Sequence, residues 1–256
     1  VANEHIGART LPETVFAGGV RRIVERRLGR VPNAGRALLE RAAVMGRYLD
    51  LEVLNVIAQK RGLAPYANFD AWLSECVDAT VLDISECCWR FSHDKLREGL
   101  LENLQTATLA QLHREVAEAM EQAYPPSVDN AAVLAQHWHA AGDVEKEGYY
   151  AAVAGNHALN LSAFADAIDF FKRALECLEK VLDPFEHAGL LCRLAESYDG
   201  LSDYTHAIPL YRQSIELARE SQNDSIMRDA LAGLSSITLN QGRYTEATQQ
   251  LEECLT

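Results

Sequence analysis

The sequence predicts a mainly α chain: a helical head interrupted by one short β-hairpin, followed by a solenoid of stacked helix pairs. Three observations carry this. First, Phe164, Tyr204 and Tyr244 stand 40 residues apart, and each is followed three residues later by alanine: Ala167, Ala207, Ala247. Second, apolar residues recur at helical spacing almost throughout, but change to a period of two between residues 80 and 91. Third, 256 residues with 48% hydrophobic and 24% charged composition are ample for a globular core, and no run of ~18 apolar residues suggests a membrane span.

In the head, Leu11-Pro12-Glu13-Thr14 opens an amphipathic helix with Val15, Val20, Ile23, Val24 and Leu28 on one stripe. Gly29-Arg30-Val31-Pro32-Asn33 ends it. A second helix, 34–45, is expected to bury Leu38, Leu39, Ala42 and Ala43. Asp50 caps a third, 51–61, closed by Gly62. A fourth, 69–78, carries Trp72, Leu73, Cys76 and Val77 on its apolar face. The segments 80–84 and 88–91 alternate like strands around Ser85-Glu86-Cys87, and a helix follows over 94–104. Helices, a small hairpin and a helix, in that order, resemble a winged-helix domain.

The second half is repetitive. Four residues beyond each alanine stand Phe171, Tyr211 and Leu251, and three beyond those Ala174, Ser214 and Cys254. A small residue admits a neighbouring backbone and a large one fills the groove beside it, as two closely crossing helices require. This pattern resembles the second helix of the tetratricopeptide repeat, aromatic-x-x-Ala-x-x-x-aromatic-x-x-Ala. That family's usual period is ~34 residues, so 40 implies longer helices or turns. First helices are expected over 148–159, 187–201 and 226–239. Pro209 falls inside a second helix and predicts a kink or a late start.

The head also resembles a family. The Leu-Pro-Glu-Thr start, the run Arg36 to Arg47 and the segment Arg90-Phe91-Ser92-His93-Asp94-Lys95-Leu96-Arg97-Glu98 are similar to a region downstream of the nucleotide-binding core in bacterial signalling ATPases of the STAND class. Residues 112–120 and 134–143 resemble the same family's link into its repeats. The resemblance implies a linker over 1–13, a winged helix over 14–108, a helical linker over 109–145 and tetratricopeptide-like repeats over 146–256. It further implies an upstream NTPase domain in a longer polypeptide. ATP or ADP and Mg would be held there, with no cofactor in this segment.

Ser92-His93-Asp94 is the sharpest chemical motif. In the wider STAND class a Met-His-Asp motif stands here, and its histidine contacts the β-phosphate of ADP in the closed state. The resemblance therefore implies His93 as a nucleotide-sensing residue and Asp94 as the residue orienting the turn; Ser92 departs from the family's Met. An imidazole at a helix N-terminus sits beside free N–H donors and suits an anion. The alternative is that Ser92 or Asp94 caps the helix while His93 packs against Phe91. His137 and His139, two residues apart on a helix, diverge and cannot chelate together. There is no phosphate-binding loop of the form Gly-x-x-x-x-Gly-Lys-Ser/Thr and no Gly-x-Ser-x-Gly elbow, so catalysis by this segment is not expected. The six cysteines (Cys76, Cys87, Cys88, Cys177, Cys192, Cys254) lack C-x-x-C spacing and are expected as buried free thiols of a cytoplasmic protein.

The net charge is −13, yet residues 1–48 hold nine arginines against four acids, a local balance of +5 that leaves −18 for the rest. The basic head suggests a local partner surface. The helix before the hairpin, 68–78, carries Asp70, Glu75 and Asp78 and no Lys or Arg, so direct DNA binding through it is not expected. Stacked repeats offer a groove lined by first-helix residues; the candidates for binding a protein, peptide or inducer there are Asn156, Asn160, Arg193, Glu196, Ser197 and Asn240. Self-assembly is a further use of such a surface. The alternatives are a plain repeat scaffold with a structural winged helix, or part of a transcription activator.

Overall fold

A computed structural model describes residues 13–61, 69–86, 88–102, 104–125, 127–179 and 182–254. The expected linker before Glu13, the closing Gly62, Asn68 and Cys87 lie outside these residues, as do the side chains of Val15, Val20 and Cys254. The chain divides into two compact units, 1–124 and 125–256.

The first unit contains α1 (Glu13–Leu28), α2 (Asn33–Met45), α3 (Leu51–Arg61), α4 (Phe69–Asp78), β1 (Leu82–Ser85), β2 (Cys88–Phe91), α5 (Asp94–Leu101) and α6 (Thr106–Ala123). Local chemistry sets several ends. Asp50 Oδ1 accepts from the backbone N–H groups of Glu52 and Val53 at 3.0 and 3.1 Å, satisfying two free donors of α3. The core gathers Leu28, Leu38, Leu39, Trp72, Phe91 and Leu96. The indole N–H of buried Trp72 donates to the Gly35 carbonyl at 3.1 Å, so the ring is buried without an orphaned donor. β1 and β2 pair antiparallel, Leu82 opposite Phe91 and Ile84 opposite Trp89. The free edge of β2 is partly covered: Leu49 N–H donates to Trp89 O and Phe91 N–H to Arg47 O.

Helix α6 seals α2 and α3 with Leu112, Val116 and Ala119. A buried ion pair, Arg41 Nη2 to Glu115 Oε2 at 2.7 Å, accompanies this packing. Two residues read as apolar-face positions stand outside the core. Ile23 is 52% exposed because the α1 contact is narrower than its apolar stripe and is filled by Val24 and Leu28; Val77 is likewise exposed at the end of α4, beyond Trp72, Leu73 and Cys76.

The second unit opens with a single 3-10 turn (Val128–Asn130), then α7 (Ala131–Ala141), α8 (Val144–Asn160), α9 (Phe164–Leu178), α10 (Pro184–Gly200), α11 (Tyr204–Glu220), α12 (Asp224–Asn240) and α13 (Tyr244–Cys254). It is an α-solenoid of antiparallel pairs, and the long period is housed in long helices: α8, α10, α11 and α12 each have 17 residues. The repeat is visible in detail. Asp143, Asp183 and Asn223, 40 residues apart, cap the first helices through side-chain oxygens. Ser162, Ser202 and Gly242, again 40 apart, take the left-handed conformation in the following turns. Ala167, Ala207 and Ala247 are fully buried, and Phe171 and Tyr211 fill the core. A Cβ added to Gly155 would stand 2.8 Å from the Phe171 ring, and one on Gly233 would meet the Tyr211 ring, so these glycines let the large residues seat. Pro209 causes no late start: α11 begins at Tyr204 and runs through the exposed proline, which withholds one N–H from the helix.

The boundary between the units falls within the stretch read as a helical linker, with α6 in the first unit and α7 in the second. No helix among the described residues is long and apolar enough to cross a membrane.

Candidate functional site

Two places bring candidate residues together, one in each unit. In the first, α5 starts directly after β2, so residues 92–94 form a tight strand-to-helix turn. His93 occupies the N-cap position with extended backbone, but its side chain makes no capping hydrogen bond. Ser92 Oγ donates to Thr80 O at 2.8 Å, and Asp94 Oδ2 accepts from Arg47 Nη1 at 3.3 Å. Neither is therefore the side-chain cap of α5, and His93 is exposed rather than packed on buried Phe91. His93, Asp94, Lys95 and Glu98 share a groove of about 600 Å³ with Ile23, Val24 and Arg27 of α1. Lys95 is drawn to Glu98 at 2.5 Å, and this contact raises the pKa of its ammonium group.

In the second unit α10 lies beside both α8 and α12. Their first-helix faces bound a groove of about 470 Å³, with Tyr149, Asn156, Phe185, Leu190, Arg193 and Ile226 in its walls. Equivalent positions recur across it: Tyr149, Gly189 and Asp229 are each 40 residues apart. Tyr149 and Phe185 are more than half exposed, and both stand in the lining of one groove. Cys192 lies in the same wall; burial, then the nearby Asp229 and Glu196 carboxylates, pushes its thiol up to about 12, so it stays protonated.

Of the candidates named for this surface, Asn156 and Arg193 line the groove. The Asn156 amide is half-buried, with Oδ1 inaccessible and lacking a donor. Arg193 is exposed, and Glu196 is exposed further along α10. Asn160 and Asn240 are exposed at the last residues of α8 and α12, outside the groove lining. Ser197 is not an exposed contact: it is fully buried, with Oγ donating back to Arg193 O at 2.8 Å. Reading by residue polarity missed Tyr149, Phe185, Gly189 and Asp229. The signal was present, since extending the 40-residue period to the first helices aligns three of these four.

A charged cluster on α7, α8 and α9 has a different character. Buried Glu147 accepts from Arg173 Nε at 2.5 Å and stands 3.0 Å from His139 Nδ1. Burial alone would raise its carboxyl pKa; the Arg173 and His139 contacts outweigh that and hold it below the usual carboxylate range. His137 is buried while His139 is exposed, so the two do diverge. No group of three or more His, Cys, Asp or Glu side chains among the described residues is placed to hold a metal. The thiols are mixed: Cys76 and Cys192 are buried as expected, but Cys177 is half-buried and Cys88 is exposed on β2, where strand alternation turns it outward.

Comparison with known proteins agrees with the second unit. Residues 188–221 and 228–256 each match a model of the tetratricopeptide repeat. No curated protein matches the chain. Among solved structures, it is similar to a Signal Transduction ATPase with Numerous Domains (STAND) protein with a tetratricopeptide repeat sensor from Pyrococcus horikoshii. The identity is 11% and the TM-score 0.35, over 99% of this chain and 53% of that one. The chain thus spans about half the length of that protein. The period, the buried alanines and the two matches together make the helix pairs over 188–256 tetratricopeptide repeats.

Proposed function

We propose that this chain is a non-catalytic regulatory and protein-interaction segment of a cytoplasmic STAND-type signalling ATPase. A winged-helix-like head reads the nucleotide state of an upstream NTPase domain, and the repeats bind a protein partner or inducer. The observation that carries the interaction role is the groove across α8, α10 and α12. It combines exposed aromatic rings and aliphatic walls with the charged groups of Glu186, Arg193 and Asp229, a mixture suited to recognition. Peptides selected from a random display library on the full chain test this. Bound peptides should slow hydrogen exchange in α8, α10 and α12; protection confined to α9, α11 and α13 would refute the groove as the binding face.

The nucleotide-sensing role rests on the resemblance around Arg90 to Glu98 and is favoured by one geometric feature. The exposed His93 imidazole stands at the head of α5, in a groove shared with Arg27 and Lys95. The imidazole beside the N-terminus of α5 suits a phosphate oxygen, with Arg27 in the same groove, while Lys95 is paired with Glu98. ATP or ADP and Mg would be held by the upstream domain, and this chain's part would be a hydrogen bond from His93 to a phosphate oxygen. Asp94, tied to Arg47, would fix the turn from which His93 projects.

A further inference from the structure

Gly189 is an anomaly. A Cβ added to Gly148, Gly155, Gly200 or Gly233 would come within 3.0 Å of a packed side chain, so packing explains those glycines. At Gly189 it would meet only Ile226 Cδ1, at an ordinary 3.5 Å. Glycine inside a helix is nonetheless less favourable than alanine by roughly 0.5–1 kcal/mol. Packing does not require a bare backbone here. The groove does, because Gly189 sits between its equivalents Tyr149 and Asp229, where any larger side chain would occupy the open space.

The charges around this space are uncommitted. The carboxylates of Glu186 and Asp229 form no hydrogen bond or ion pair with the described residues, although both line the groove. Among the described residues, Arg193 is the one cationic side chain in the lining. The unit around them is strongly acidic: residues 125–256 hold nine Lys and Arg against 20 Asp and Glu, a balance of −11. A ligand here therefore meets an apolar floor under a negative field.

We propose that this groove takes a basic amphipathic peptide segment. Its apolar side chains pack on Tyr149, Phe185 and Leu190 over the floor kept open by Gly189, and its Lys or Arg side chains stand beside Glu186 and Asp229. The proposal rests on the reading of the repeats as a binding surface and names the chemistry of what they bind. Arg193, at the same wall, is left to meet a backbone carbonyl of the peptide.

The test uses the full chain and two fluorescein-labelled 12-residue peptides. Both carry the same Phe and Leu positions and differ only in having Lys or Glu at every remaining position. Fluorescence anisotropy should show the Lys peptide binding at least about tenfold more tightly at ~0.15 M salt, with the difference shrinking as salt rises. Gly189→Leu, which leaves every charge in place, should weaken the Lys peptide at least about tenfold without lowering the melting temperature. Glu186→Gln with Asp229→Asn should narrow the gap between the peptides. Equal binding of both peptides, each lost in Gly189→Leu, would overturn the preference for basic segments while leaving the groove as the binding face. Binding that is indifferent to Gly189→Leu would place it on the general acidic surface and overturn both readings. Tighter binding of the Glu peptide, or no binding of either, would also overturn the proposal.

Discussion

Replacing Ala207 by Leu probes the repeat packing at its tightest point. Ala207 lies in the first turns of α11 and is fully inaccessible, as are its equivalents Ala167 and Ala247. Its neighbours include Tyr204, packed against the same core, and Tyr211 one helical turn further on. Leu would add three carbon atoms where the structure leaves no space for them. The stack would have to shift α11 against its neighbours or force side chains from their preferred rotamers. Overpacking of this kind costs about 1–3 kcal/mol. For a unit of this size that is about 4–12 °C in melting temperature. Thr205→Leu, two residues away on the exposed face of the same helix, should stay within about 0.5 kcal/mol. Urea unfolding followed by circular dichroism would compare both with wild type, with the slope checked because repeat arrays can lose two-state behaviour. An unchanged midpoint in Ala207→Leu would show that the helix crossing placed at Ala207 is wrong.

Other perturbations address other parts of the account. Glu147 is held ionised by Arg173 and His139, so its contribution is complete above the ordinary carboxylate range and lost as pH falls through its lowered folded value; Glu147→Gln should cost about 1–3 kcal/mol near pH 7 and flatten acid unfolding below pH 5. Calorimetry of the chain with ADP should give a dissociation constant weaker than ~10 µM, since the sequence has no phosphate-binding loop. In a longer protein carrying the upstream NTPase, His93→Ala should speed ADP release, because one hydrogen bond to a charged group is worth ~1.5–3 kcal/mol, roughly ten- to a hundredfold in affinity. A lower melting temperature with unchanged release would instead make His93 structural. Ser202→Gly should raise stability by a few tenths of a kcal/mol to about 1 kcal/mol in urea unfolding, because Ser202 holds φ at 59° where glycine is unstrained.

Much of the fold was legible because its determinants are local. Asp50 marks the start of α3, and the change of period to two locates the hairpin, though not its register: Ser85, read as part of the turn, pairs with Cys88. The 40-residue recurrence of aromatic and alanine positions implied longer helices or turns, and the 17-residue helices supply the length. What was not legible depends on contacts between distant residues. The rung that Arg47 and Leu49 add to β2 joins segments some 40 residues apart and has no sequence signature. Ile23 and Val77 extend apolar stripes beyond the contacts that exist to cover them. Ser197 looked like a surface polar residue because only the structure shows its hydroxyl returned to its own helix. The groove itself is built from Tyr149, Phe185 and Ile226, ordinary core formers by type. Tyr149 and Phe185 are nonetheless exposed and Ile226 only half-buried, which residue type does not reveal.

The central claim is that partners are held on the first-helix groove, and the most direct measurement locates a bound peptide by methyl NMR. With a peptide selected on the full chain, intermolecular nuclear Overhauser contacts should reach the methyl groups of Leu190 and Ile226, and should vanish in Gly189→Leu. Leu161 and Leu201 offer the control, since both are exposed apolar side chains at the turns of the solenoid and lie outside the groove lining. Contacts to Leu161 and Leu201 with none to Leu190 or Ile226 would contradict the account.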